Sequence, residues 1–289
     1  MNVKIPTIND DVSDFDRLFA LWEQLNRQDL DITFDFSGCR FLRQNAVAFL
    51  GGLIRLVRYL GGNVRIDDST FIPDVANNLA KNGFSGIFSG KAFVRSGNAI
   101  PYREDGESEN VSLIAYLRDQ WLGRGWVHVT ELLRNRIIGT VWEVYANGFE
   151  HGESGIGIFS CGQHYPQLRT LKLTIVDFGV GIPANVRNFL GEPNLPSDRA
   201  LEWAFRPGNS TKPEGMGRGL GLDILKQFIK VNKGQLEVFS HDAYALVDSG
   251  TERYLTRKSY FQGTLVNISL VCDELHYCLS SEISNEPLF

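Results

Sequence analysis

Glycine recurs at alternate positions in Gly215-Met-Gly217-Arg-Gly219-Leu-Gly221, and the chain then runs into Leu222-Asp-Ile-Leu-Lys-Gln-Phe-Ile-Lys-Val231, whose apolar residues return at helical spacing. A loop this rich in glycine that opens into a helix constrains the local fold strongly. Its backbone N–H groups gather at a helix N-terminus, which is a ready anion site, and a phosphate chain is the natural occupant. The run is neither Gly-x-x-x-x-Gly-Lys-[Ser/Thr] nor the dinucleotide fingerprint at a strand-to-helix turn, so the two commonest phosphate loops are excluded.

Two further motifs precede it. From about Ile137 to His151 the chain is apolar at helical spacing, so Glu143 and Asn147, four residues apart, project from one helix face. An amide oxygen suits Mg²⁺, which keeps most of its waters, and a carboxylate beside it can take a proton from a nucleophile near the same phosphate. His151-Gly152 reads as a helix end, with histidine favoured by the helix dipole and glycine at the residue after the cap. Next, Leu171-Lys-Leu-Thr-Ile-Val176 alternates like a strand and ends in Asp177-Phe-Gly179-Val-Gly181-Ile182-Pro183. A carboxylate at a strand end can accept from an exocyclic amine, and Gly179 and Gly181 let the backbone approach a flat ring. Singly, each motif is also what a solvated helix face or a plain Asp-Gly loop would show; the set is specific.

In order, spacing and context these motifs resemble the GHKL ATPases with their Bergerat fold, among them gyrase, the large heat-shock chaperones, mismatch-repair ATPases and histidine kinases. The resemblance implies ATP and Mg²⁺ as cofactors. It implies that Asn147 holds the Mg²⁺, Asp177 reads the adenine amine, Gly179, Gly181 and Ile182 line the base, and Gly217, Gly219, Leu220 and Gly221 wrap the phosphates. Gly263-Thr264 looks like the family's late Gly-Thr pair, with Thr264 supporting the adenine through the aspartate and a water. Pro183 to Gly215 would be a mobile ATP lid, in which Thr211 and Lys212 of Asn209-Ser-Thr-Lys212 resemble the segment that reaches the γ-phosphate.

The first hundred residues read as a separate unit. Val12 to Gln28 has apolar residues at helical spacing, Asp31-Ile-Thr-Phe-Asp-Phe36 alternates like a strand, and Ala46 to Leu60 presents one helical apolar face stopped by Gly61-Gly62. A short strand Asn63-Val-Arg-Ile66 and a helix behind Pro73 complete a β-α-β-α pattern. In Phe34-Asp-Phe-Ser-Gly-Cys-Arg-Phe-Leu42 and Leu79-Ala-Lys-Asn-Gly-Phe-Ser-Gly-Ile-Phe88 the unit resembles a STAS domain. Arg43-Gln44-Asn45 stands where anti-sigma antagonists of that kind carry a phosphorylated Ser or Thr. The polar stretch from Arg95 onward reads as a linker. The expected fold is therefore α/β, an α+β two-layer sandwich: a STAS-like domain at 1–94, a linker at 95–111 and a GHKL-type ATP-binding domain at 112–289.

At 289 residues the chain is long enough for two cored units. A net charge of −5 with no dense Lys/Arg run argues against nucleic acid. No basic-then-apolar start and no apolar run of the ~18 residues a span needs point to a cytoplasmic protein without a membrane partner. The four cysteines show no metal spacing and read as thiols.

His128, between Val127 and Val129, does not sit in a phosphoacceptor box, so histidine autokinase chemistry is disfavoured, and with 25 residues after Thr264 so is the gyrase class with its second domain. Glu143-x-x-x-Asn147-x-x-x-His151-Gly152 most resembles the anti-sigma-factor serine kinases, whose glutamate is the base toward a partner's hydroxyl. The resemblance implies a kinase or ATPase with Glu143 as its catalytic residue, a protein partner met through the STAS-like unit or as phosphoacceptor, and a homodimer; a nucleotide-gated interaction module or an ATP-driven conformational switch is the alternative. Glu153 to Arg169, with Gly155 to Ser160 as a strand, reads as an added hairpin arm, and His241 to Gln262 as a second addition; partner contact and surface embellishment both remain open.

Overall fold

The computed structural model describes residues 1–89, 97–106, 110–151, 154–211 and 221–283. The N-terminal unit runs β1 (Asn2–Lys4), α1 (Val12–Leu25), β2 (Asp31–Asp35), α2 (Gln44–Tyr59), β3 (Asn63–Asp67), α3 (Pro73–Lys81) and α4 (Phe84–Ser89). The three strands pair in parallel in the order β1-β2-β3. Parallel neighbours need a crossover, and α1 and α2 supply it. This is the β-α order expected from the sequence.

The remainder runs β4 (Ala99–Asp105), α5 (Asn110–Tyr116), β5 (His128–Val129), α6 (Glu131–His151), β6 (Ile158–Tyr165), β7 (Thr170–Asp177), α7 (Ile182–Leu190), α8 (Ser197–Phe205), α9 (Gly221–Asn232), β8 (Gln235–Val247), β9 (Glu252–Val271) and β10 (His276–Tyr277). An antiparallel sheet of order β4-β6-β7-β9-β8 forms its centre, while β5 and β10 pair separately. Helices α5, α6, α8 and α9 bury their apolar sides on one face, around Leu117, Ile137, Tyr145, Leu173, Leu225 and Ile268. That is the expected α+β sandwich.

The other face of this sheet is covered by α1 and α2. Phe15, Phe19 and Phe49 share one continuous apolar cluster with Phe159, Val176, Phe239, Phe261 and Leu265 of the sheet. Thirteen of the sixteen residues of α2 are buried, so the helix needs cover on opposite sides, and it lies between the small parallel sheet and the large antiparallel one. Gly51 and Gly52 permit the approach: a Cβ on the first would overlap the Tyr102 hydroxyl and on the second the Phe178 ring. Polar groups follow the same seam. Gln44 is 2 % exposed and donates to Thr174 Oγ1 (3.3 Å) and Asn267 Oδ1 (3.2 Å), while accepting from the Tyr165 hydroxyl (2.9 Å). Asn267 in turn donates to Glu237, which also takes the Tyr244 hydroxyl, each at 2.9 Å. Asp10 bridges Arg43 (2.9 Å) and Lys172 (2.8 Å).

Three expectations change. The stretch read as linker contains β4, the outer strand of the large sheet; Pro101 and the charged Arg103-Glu-Asp105 disguise it, and the register against β6 shifts between Ile100 and Arg103, where an edge strand tolerates proline. The hairpin arm is no arm: β6 and β7 are interior strands of the sheet. Much of the expected lid is helical, since α7 and α8 occupy Ile182–Leu190 and Ser197–Phe205 and α8 packs on β8. Among the described residues no helix is long and apolar enough to cross a membrane, and the four cysteines are free.

Candidate functional site

A cavity of about 670 Å³ opens between α6, the end of β7, the middle of β9 and the α7–α8 pair. Glu143 and Asn147 line it from α6, one helical turn apart as their spacing requires. Asp177, Gly181, Ile182, Thr211 and Thr264 line it as well. Gly179 contributes its N–H to Asp177 rather than a surface to the cavity. Gly221 is the first residue of α9. Lys212, Gly217, Gly219 and Leu220 lie outside the described residues, as does Gly152.

Asp177 ends β7 directly opposite Thr264 of β9, so strand register alone brings the two together. The aspartate is 8 % exposed, and its Oδ1 accepts the Gly179 N–H at 2.9 Å. Burial pushes its carboxyl up to about 6, although hydrogen bonds from Gly179 and Thr264 work the other way. A carboxylate held so, at the base of an apolar cavity lined by Ile158, Ile175, Val238 and Val266, can take a hydrogen bond from a flat polar ring.

The loop after Asp177 is held from below. Gly181 has φ +79° and ψ 161°, a region essentially reserved for glycine, and a Cβ there would overlap the carbonyl oxygen of Gln262. The Ile182 N–H donates to Ser240 Oγ (3.0 Å), which donates to the Gly263 carbonyl (2.9 Å). Phe178, between Asp177 and Gly179, points away from the cavity. Its ring meets Phe49 (5.2 Å), Phe159 (5.9 Å) and Phe261 (5.4 Å) in the cluster shared with α2.

Residues 133–270 match the family model of histidine kinase-, DNA gyrase B- and HSP90-like ATPases. This segment is similar to a GHKL ATPase domain. It spans α6 through most of β9 and so contains every residue of the cavity. No curated protein matches the chain. The match supports ATP binding, and it leaves residues 1–132 and 271–289 outside it.

The residues present fit Mg²⁺ arriving with a nucleotide. Among the described residues no group of three or more His, Cys, Asp or Glu could hold a metal alone, whereas Asn147 offers one amide oxygen to an ion that takes the rest of its shell from phosphates and water. The described lining includes Glu143, Glu150 and Asp177 and no Lys, Arg or His. A triphosphate there would meet no cationic side chain of the described lining; Lys212 and Arg218 lie in the sequence that follows Thr211, outside the described residues.

Sequence reasoning missed Trp142, Asn185, Trp203 and Phe205 in the lining, while Asn209 and Ser210 of the expected lid segment line it beside Thr211. The helical spacing of Ala200, Leu201, Ala204 and Phe205 was a usable signal for α8. Nothing local marks Trp142, whose neighbour Glu143 carries the more obvious chemistry.

Proposed function

We propose that the protein is a regulatory protein that binds Mg-ATP and passes the γ-phosphate to a serine or threonine of a partner protein, with water as the competing acceptor. The observation that carries this reading is the Glu143 carboxylate one turn from the Asn147 amide in the cavity that also holds Asp177. Asp177 and Thr264 receive the adenine. Asn147 gives an oxygen to Mg²⁺, which supplies charge neutralisation on the phosphates. Glu143 accepts the hydroxyl proton as the acceptor oxygen bonds to the γ-phosphorus; the bond from that phosphorus to the β-phosphate bridging oxygen breaks and ADP departs. Lys212 and Thr211 meet the γ-phosphate from the lid side.

The N-terminal unit serves in this reading as a STAS-like docking module, not as the phosphoacceptor. The start of α2 is pressed against the sheet, with Asn45 0 % exposed and donating to the Asn9 carbonyl (2.8 Å) and Asp10 (3.2 Å). In this reading the acceptor hydroxyl comes from another molecule. The four free thiols suit a cytoplasmic setting.

Incubation with γ-labelled ATP and Mg²⁺, alone and with the proteins of the same cells, tests this. Glu143→Ala should lose ~10²–10⁴-fold in label transfer and phosphate release while still binding Mg-ADP, and Asn147→Ala should lose Mg²⁺-dependent turnover. Unchanged turnover in Glu143→Ala refutes the assigned base. Tight Mg-ADP binding without either product would make the protein a nucleotide-gated interaction module.

A further inference from the structure

His241 sits where β8 and β9 lose register, and the pairing shifts on both sides of it. Its backbone has φ +55°, in the left-handed region that a histidine seldom occupies, and the residue is 9 % exposed. The ring lies against the loop that follows Asp177, so closely that a Cβ on Gly181 would meet its Cδ2.

Two hydrogen bonds define its protonation. Nε2 is 2.7 Å from the Val180 carbonyl oxygen, and Nδ1 is 3.4 Å from Arg187 Nη1. A carbonyl only accepts, so Nε2 carries the proton. A guanidinium only donates, so Nδ1 must present its lone pair. Both partners are satisfied by one species, the neutral Nε2–H imidazole. Arg187 extends the connection: its Nε donates to the Leu195 carbonyl (2.7 Å) and its Nη2 to Ser197 Oγ (2.8 Å) at the start of α8. One ring thereby joins the loop under the cavity to α7, which carries Ile182 and Asn185, and to α8, which carries Trp203 and Phe205.

We propose that His241 is a positioning residue for the nucleotide, holding the Asp177–Ile182 loop and the α7–α8 wall together only in its neutral form, so that protonation of Nδ1 releases the wall and weakens nucleotide binding. The proposal rests on the ATP reading of the cavity. A proton on Nδ1 replaces an acceptor with a donor aimed at a guanidinium, adding like-charge repulsion to a lost hydrogen bond. The groups facing the ring from each neighbouring element are Arg187 of α7, which opposes protonation, Asp242 of β8, which favours it, and Tyr260 of β9, whose ring lies 5.2 Å away. Burial is the largest influence and, with Arg187, holds the imidazole below its ordinary range. Affinity is then full above the pKa of the free protein, falls as pH drops through it, and levels off below the pKa of the complex.

Reciprocity supplies the test, because a ligand that needs the neutral ring must lower its pKa. The five histidines are followed by imidazole NMR titration with and without saturating Mg-ADP, the His241 signal being the one absent from His241→Gln. The expected result is a fall in pKa of at least about 0.5 on binding, a fall of about 1 corresponding to roughly tenfold weaker Mg-ADP binding in acid than at high pH. His241→Gln, which can donate to Val180 but cannot titrate, should bind Mg-ADP within about threefold of the parent at pH 8. Should that variant not fold, backbone connectivity assigns the signal and the titration decides alone. An unchanged His241 pKa with Mg-ADP bound overturns this proposal and leaves the ATP reading intact. Absence of Mg-ADP binding at pH 8 overturns the ATP reading and this proposal with it.

Discussion

Asp177→Asn separates what the carboxylate costs the empty protein from what it does for a ligand. Burial moves its pKa from 3.8 to about 6, so the folded protein holds this proton more tightly than the unfolded chain. A raised pKa means that the group's contribution to folding is complete below about pH 4 and is withdrawn as pH rises to about 6. Above that the ionised, buried carboxylate lowers stability by roughly 3 kcal/mol, since a tenfold difference in proton affinity is worth ~1.4 kcal/mol. Asparagine keeps an oxygen for the Gly179 N–H and carries no charge. In thermal melts without nucleotide the variant should gain on its parent as pH rises from 4 to 6, reaching about 6 °C at ~2 °C per kcal/mol in a chain of this size. Added Mg-ADP should reverse the order, because in the proposed reading an amide N–H replaces the acceptor offered to the adenine amine; at a thousandfold excess over Kd only the parent gains the ~4.1 kcal/mol of ligand stabilisation. A variant that melts below its parent at pH 7.5 without nucleotide, or a difference that does not change with pH, would refute the reasoning.

Three further outcomes follow from the same geometry. Gly181→Ala combines a glycine-only backbone region with an overlap on Gln262, so urea unfolding should show a loss of more than ~2 kcal/mol, and Mg-ADP binding should fall with it. Lys226, 7 % exposed, donates to the Phe205 carbonyl (3.0 Å) and to Glu252 (2.8 Å), tying the end of α8 to α9 and the β8–β9 hairpin; Lys226→Met should cost about 2 kcal/mol in the same assay and weaken Mg-ADP binding. A fragment of residues 112–289 bares Phe159, Phe239 and Phe261, which α1 and α2 cover in the whole chain, and should aggregate in light scattering; a monomer with a cooperative melt would contradict the shared core.

The residues that anchor the cavity were legible because each needs particular atoms at a particular place in one element. Glu143 and Asn147 declare a helix face and Asp177 a strand end, while Thr264, expected to open a strand, lies within β9, where antiparallel register sets it opposite Asp177. What was not legible reaches the site through packing between distant segments. Trp203 and Phe205 arrive because α8 folds back on β8, and His241 because a register shift turns its side chain under the loop. Strand β4 escaped for a different reason, since an edge strand with a proline and alternating charges carries the composition of a loop. The continuity between the two halves was equally hidden: each half reads as self-contained, and only the burial of α2 on both sides shows that the sheet's rear face is occupied.

Asp177 and Phe178 are consecutive residues on opposite sides of that sheet, one in the ligand cavity and one among Phe49, Phe159 and Phe261. A single planar peptide unit joins the two, so a displacement of the backbone at this strand end reaches both the carboxylate in the cavity and the phenyl group in the aromatic cluster behind it. Close-packed side chains transmit such a displacement instead of absorbing it. The N-terminal unit therefore packs directly against the residue that follows the cavity's carboxylate, so the rear cluster and the cavity share one strand end.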